Sequence, residues 1–192
     1  MSYVAIEQKD PTYTSIPTSK IFLWVIIASI IMLFAGLTSA YIVRQAEGNW
    51  VHFELPVAFY YSTALIIVSS ITMQWSLASI KKNHNANLLT GLIITLGLGL
   101  AFAFVQFLAW GRLVDQKIFF TGNPSGSFVY VLSGLHLAHL AGGIIYLLVV
   151  ITKSIMRKYS SENNLQVQLC AIYWHFLDIL WVYLFIFLLV VR

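Results

Sequence analysis

Five stretches of this chain read as nearly unbroken apolar runs, near 20–44, 56–80, 88–111, 127–151 and 167–191, and short polar segments separate them. Runs of about 20 apolar residues cross roughly 30 Å of hydrocarbon as an α-helix. The pattern therefore predicts an all-α membrane bundle of five transmembrane helices. A barrel would need segments of about ten residues alternating strictly in and out, and Ile21 to Ala40 has no such period. Within the runs, small and weakly polar residues recur at helical spacing. Ser62, Ser69 and Ser76 lie seven apart, with Thr72 and Ser79 near the same stripe. Thr95, Gly99 and Ala103 form a ridge ending at Gln106, and Gly134, Ala138 and Gly142 form another. Such ridges let helix backbones approach closely where lipid supplies no hydrophobic push, so they predict packing rather than activity.

Composition agrees: 59% of the 192 residues are hydrophobic and 9% charged, more apolar surface than a soluble domain of this size hides. Residues 1–19 hold Glu7, Asp10, Pro11 and Pro17 and lack a basic stretch leading into a cleavage site, so they read as a tail and not as a signal peptide. Residues 20–192 read as one transmembrane domain. Lys9, Lys20, Lys81, Lys82, Lys153, Arg157 and Lys158 fall on one side, and Arg44, Arg112, Lys117 and Arg192 on the other. This bias sets the N-terminus and its tail in the cytoplasm and the C-terminus outside. The net charge of +4 is thus a set of topology anchors and implies no nucleic-acid partner. Lys81, Lys82, Arg157 and Lys158 are the anchors placed to meet anionic lipid headgroups. Cys170 is the single cysteine, which excludes a disulfide framework or a CxxC pair and leaves a packing role.

Four ionisable residues interrupt the last two runs: His136 and His139, and His175 and Asp178, each pair spaced i,i+3 on one helical face. A carboxylate near the bilayer centre costs about 2.5–3.5 kcal/mol on insertion scales, so it calls for a partner or a task. At about 1.5 Å per residue, His139 lies roughly 18 Å from the cytoplasmic end of its helix and Asp178 roughly 16 Å, with His136 and His175 within about 4 Å of these levels. If the two antiparallel helices pack face to face, His139 and Asp178 meet. Three roles suit the set. Imidazoles and a carboxylate ligate metals, although the Glu-x-x-His pairs of di-metal bundles are missing. Chains of His and Asp also carry protons through membranes. Lastly, the groups can satisfy one another or nearby carbonyls and fix two helices together, which is the role expected here.

At these residues the chain resembles a known family. Tyr173-Trp174-His175-Phe176-Leu177-Asp178-Ile179-Leu180-Trp181, followed by Leu184-Phe185, resembles the motif of subunit III of the heme-copper terminal oxidases. Gly126-Ser127-Phe128 and Ser133 through His139 to Gly143 resemble an earlier helix of its five-helix core. Phe53 to Pro56, Ser69 to Thr72, and Gln106 with Trp110 are similar to segments before it. The resemblance covers roughly residues 20–191. It implies the short five-helix bacterial form, without the two extra helices that hold lipids in a cleft in longer members. Ile30, Ala109 and Gln168 stand where many members have glutamate, which leaves His136, His139, His175 and Asp178 as the matching polar set.

The resemblance implies a multi-pass protein of the bacterial plasma membrane and an accessory, non-redox subunit of an aa3-type proton-pumping cytochrome c oxidase. Such a subunit contacts subunit I chiefly, and subunit II, and supports proton uptake and stability. The hemes and copper belong to those partners. Bound phospholipid and membership of a respiratory supercomplex are compatible with it, and catalysis by this chain alone is not expected. Subunit III of a quinol oxidase or of a nitric oxide reductase complex carries the same motifs. From another class, a small His-dependent transporter would place ion ligands on several helices, whereas here they lie on two.

Overall fold

The structure is a computed structural model that describes residues 17–46, 48, 50–51 and 53–191. Every regular element among the described residues is a helix: α1 Thr18–Gln45, α2 Ala58–Lys81, α3 Asn85–Asp115, α4 Pro124–Ile155 and α5 Leu165–Val191. All five are long and apolar enough to span a membrane, as the apolar runs predict. The predicted tail yields its last two residues to α1, and the rest of it up to residue 16 lies outside the described residues, as does Arg192. Helices α3 and α4 overrun their apolar runs at both ends. At 31 and 32 residues they reach about 46–48 Å, so their ends project beyond the hydrocarbon.

Local chemistry sets these ends. Asn123 caps α4: its Oδ1 accepts from the Ser125 backbone N–H at 3.0 Å, and Pro124 occupies the first turn, where no N–H is needed. Helices α2, α3 and α4 each stop on a left-handed residue, Asn83 (φ 58°), Lys117 (φ 61°) and Arg157 (φ 52°). After each, the next N–H reaches back to the last turn: His84 to Ser79, Ile118 to Leu113 and Lys158 to Lys153. Asn83 also clamps the α4–α5 loop, its Oδ1 accepting from the Ser161 N–H at 2.7 Å and its Nδ2 donating to Ser161 Oγ at 3.1 Å. In that loop Tyr159 is buried and donates to Gln166 Oε1 at 2.9 Å; burial raises its phenol above the usual pKa, which keeps it a donor.

Helices α2 and α3 form a close antiparallel hairpin along the predicted ridges. Gln106 Nε2 donates to Ser62 Oγ at 3.0 Å, Thr72 and Thr95 share a hydrogen bond of 2.8 Å, and Ser76 lies against Gly91. Helix α5 packs against both α2 and α4, and α1 rests on α4 and α5. The ridge expected on α4 is corrected. Ala138 and Gly142 are exposed, and the buried stripe instead runs through Ser133, His136, Leu140, Gly143 and Leu147. Gly143, rather than Gly142, packs closely on α5: a Cβ there would stand 3.3 Å from Leu177 and Tyr173. The stripe through Gly143 lies one residue, or about 100°, around the helix from the predicted one.

Candidate functional site

The aromatic residues of α5 anchor the bundle. Trp174 and Trp181 are wholly or almost wholly buried, and each indole N–H meets an α2 hydroxyl: Trp174 Nε1 donates to Ser69 Oγ and Trp181 Nε1 to Thr63 Oγ1, both at 3.1 Å. Trp181 also stacks on Phe59 and meets Phe102 edge-on. Tyr173 turns the other way, donating to the His139 carbonyl at 3.2 Å on α4, and half-buried Phe176 packs against the core beside it. A buried N–H with a partner adds specificity to the apolar area its ring removes from lipid contact. Here it fixes the rotation of α5 against α2. Sequence reading did not single out Thr63 as a partner, and its only signal is its place next to Ser62, where the hydroxyl stripe begins.

The four ionisable residues do not meet. Neither a hydrogen bond nor an ion pair joins any two of them, and among the described residues no three His, Cys, Asp or Glu side chains gather where one ion could sit. His139 is half-buried; its Nδ1 bonds the Leu135 carbonyl of its own helix at 2.7 Å, and its ring faces Phe34 of α1. His136 is fully buried between the rings of Phe102 and Trp181, at centroid distances of 5.7 and 5.0 Å, with both ring nitrogens unpartnered. His175 turns to α2, where its Nδ1 lies 2.7 Å from Ser70 Oγ and its Nε2 lies 3.3 Å from Gln74 Oε1. With Nε2–H donating to the Gln74 oxygen, Nδ1 accepts from the Ser70 hydroxyl in the neutral tautomer. Asp178 is 4% exposed, and neither of its oxygens has a hydrogen-bond partner. Ser70 lies within electrostatic reach of that carboxyl, but the short contact of its hydroxyl is to His175.

The expected meeting of His139 with Asp178 therefore gives way to a seam between α5 and α2. Residues spaced i,i+3 stand about 60° apart on a helix. With α5 wedged between two neighbours, that angle is enough to separate their surroundings. Ser70 and Gln74, the partners of His175, were not picked out from sequence as site residues. Gln74 was detectable as the one amide inside the α2 run.

Among the positions where glutamate was expected, Ile30 and Ala109 are buried in the apolar core, and Gln168 Nε2 donates to Asn164 Oδ1. Lys81, Lys82, Arg157 and Lys158 are all exposed, and the Asn83–Ser161 clamp holds their two turns together at one end of the bundle.

The family model described as "Cytochrome c oxidase subunit III" matches residues 19–191, which is nearly the whole chain. The chain belongs to the cytochrome c oxidase subunit III family. A "Probable cytochrome c oxidase subunit 3" of Nocardia farcinica is 30% identical over 174 residues, covering 86% of this chain and 84% of the relative. A "Probable quinol oxidase subunit 3" of Staphylococcus saprophyticus is 27% identical over 173 residues, covering 87% and 86%. A "Cytochrome c oxidase subunit 3" of a Bacillus species is 26% identical over 167 residues, covering 84% and 80%. As a subunit III of a heme-copper oxidase, the chain is a multi-pass membrane protein and part of a complex with other oxidase subunits. The resemblance read from the last two helices is thereby established for residues 19–191.

Proposed function

We propose that this subunit III is the non-redox flank of an aa3-type, proton-pumping cytochrome c oxidase in a bacterial plasma membrane, with its N-terminus in the cytoplasm. In this reading it contacts subunit I chiefly and subunit II secondarily, and the hemes and copper stay in those partners. Its contribution is to steady the catalytic subunit and its proton uptake. The observation that carries the non-redox role is the dispersal of His136, His139, His175 and Asp178: each goes to a different surrounding, so they offer no common site for a metal. His175 and Tyr173 act as interhelix tethers, and the exposed Lys81, Lys82, Arg157 and Lys158 meet anionic headgroups. A quinol oxidase is the second reading, favoured by the Staphylococcus saprophyticus relative and its name.

The test is purification of the tagged chain from its native membrane in mild detergent, followed by a reduced-minus-oxidised visible spectrum. An a-type heme band together with two larger subunits is expected, and turnover with reduced cytochrome c against quinol then names the donor. A chain that purifies alone and folded, without heme, would overturn the proposal.

A further inference from the structure

The α2–α5 seam opens onto the membrane-facing surface as a groove of about 450 Å³ lined by Ser70, Ile71, Gln74, Trp75, Ala78 and His175. Gln74 is exposed there although it lies about 7 Å from the midpoint of α2, well inside a hydrocarbon layer roughly 30 Å thick. Its oxygen accepts from His175, and its amide nitrogen has no partner. One turn further along α5, the buried Asp178 carboxyl has the Ser70 hydroxyl as its polar neighbour, outside hydrogen-bond distance. A polar group that meets lipid tails without a partner is costly, and intramembrane amides characteristically bond across helices. Exposed Ser29 of α1, by contrast, bonds the Val25 carbonyl of its own turn, and exposed Tyr183 of α5 shares a hydrogen bond with Thr38. Gln74 is different because its amide nitrogen stays unpartnered beside this open groove.

We infer that this groove is the face on which a membrane-spanning helix of another oxidase subunit docks, presenting a hydrogen-bond acceptor to Gln74 Nε2. The inference rests on the proposed oxidase role. The occupant is a helix and not a lipid tail, because an acyl chain has no acceptor to offer at this depth. Ile71, 65% exposed, and Trp75, 43% exposed, supply the apolar rims that such a helix covers.

A photoreactive benzophenone amino acid placed at position 74 in the tagged chain, and separately at Met32 and Ile145 on α1 and α4, tests this in the assembled complex. Irradiation is expected to join position 74 to a membrane helix of a heme-bearing subunit and to leave the other two positions free of protein adducts. Gln74→Leu is expected to lower the oxidase recovered per tagged chain several-fold, and Gln74→Asn to lower it less. Adducts from position 32 or 145 and none from 74, an adduct between two copies of this chain, or unchanged recovery with Gln74→Leu would each overturn the inference. A chain that carries heme subunits but gives no adduct at 74 overturns this assignment alone. A chain that carries none overturns the oxidase role as well.

Discussion

Gly97 and Gly99 stand two residues apart on α3 and should respond in opposite ways to the same methyl group. At Gly99 an added Cβ would lie 2.8 and 3.0 Å from Cη2 and Cζ2 of Trp174, against an optimum of roughly 3.5–4.0 Å for carbon atoms. That indole is fully buried and tied to Ser69, so it has nowhere to go and α3 itself must shift. Overpacking of this kind costs about 1–3 kcal/mol, and the Gly→Ala gain in helix propensity returns about 1 kcal/mol. Gly99→Ala should therefore destabilise the chain by up to about 2 kcal/mol. At Gly97 nothing lies within 4 Å, so Gly97→Ala keeps the propensity gain of up to about 1 kcal/mol. For a chain of this size each kcal/mol moves the thermal midpoint by about 2–4 °C, which separates the two variants by roughly 2–12 °C. Heating detergent-solubilised membranes and blotting the tagged chain left in solution measures the difference. Gly99→Ala with Trp174→Phe should recover part of the loss, because phenylalanine lacks the two clashing atoms. Equal midpoints for Gly97→Ala and Gly99→Ala, or no recovery in the pair, would refute the packing argument.

Other variants examine other parts of the fold. Thr63→Val leaves the buried Trp181 N–H without an acceptor and should cost about 1–3 kcal/mol, lowering the same midpoint, whereas Thr63→Ser should stay near wild type. Asn83→Ala removes both bonds to Ser161 and puts a methyl-bearing residue in a left-handed conformation, so limited proteolysis should cut the 156–164 loop faster than in wild type. Asn83→Gly should fall between the two. Lys117→Gly relieves the strain of φ 61° at the end of α3 and should raise the midpoint by an amount equivalent to about 1 kcal/mol.

The helices were legible because membrane thickness imposes a length that an apolar run must meet, and each run met it. Their ends were less so. The cap at Asn123-Pro124 and the left-handed stops at Lys117 and Arg157 lie in polar sequence beyond the hydrocarbon, where a hydropathy window loses its signal. The α2 and α3 ridges could be read because these two helices form a hairpin across a short turn and have to face each other. The α4 ridge could not, since that helix divides its surface among α1, α3 and α5 and only the three-dimensional arrangement selects Gly143 over Gly142. The polar set shows the same limit. The i,i+3 spacing placed His175 and Asp178 on one side of α5, but only the position of α2 explains why His175 reaches Ser70 and Gln74 instead of α4.

The position of α1 bears on how the chain is made. Of the five helices described it is made before the others, yet its neighbours are the last two of them. Thr38 meets Tyr183 only after 145 further residues, roughly 7–29 s later at about 5–20 residues per second. Through that interval α1 must stand in the bilayer without its final contacts, and its chemistry allows this. The Ser29 and Thr38 hydroxyls donate to the carbonyls of Val25 and Phe34 on their own helix, so neither needs a neighbour to be satisfied. Helix α1 is thus built to wait for α5.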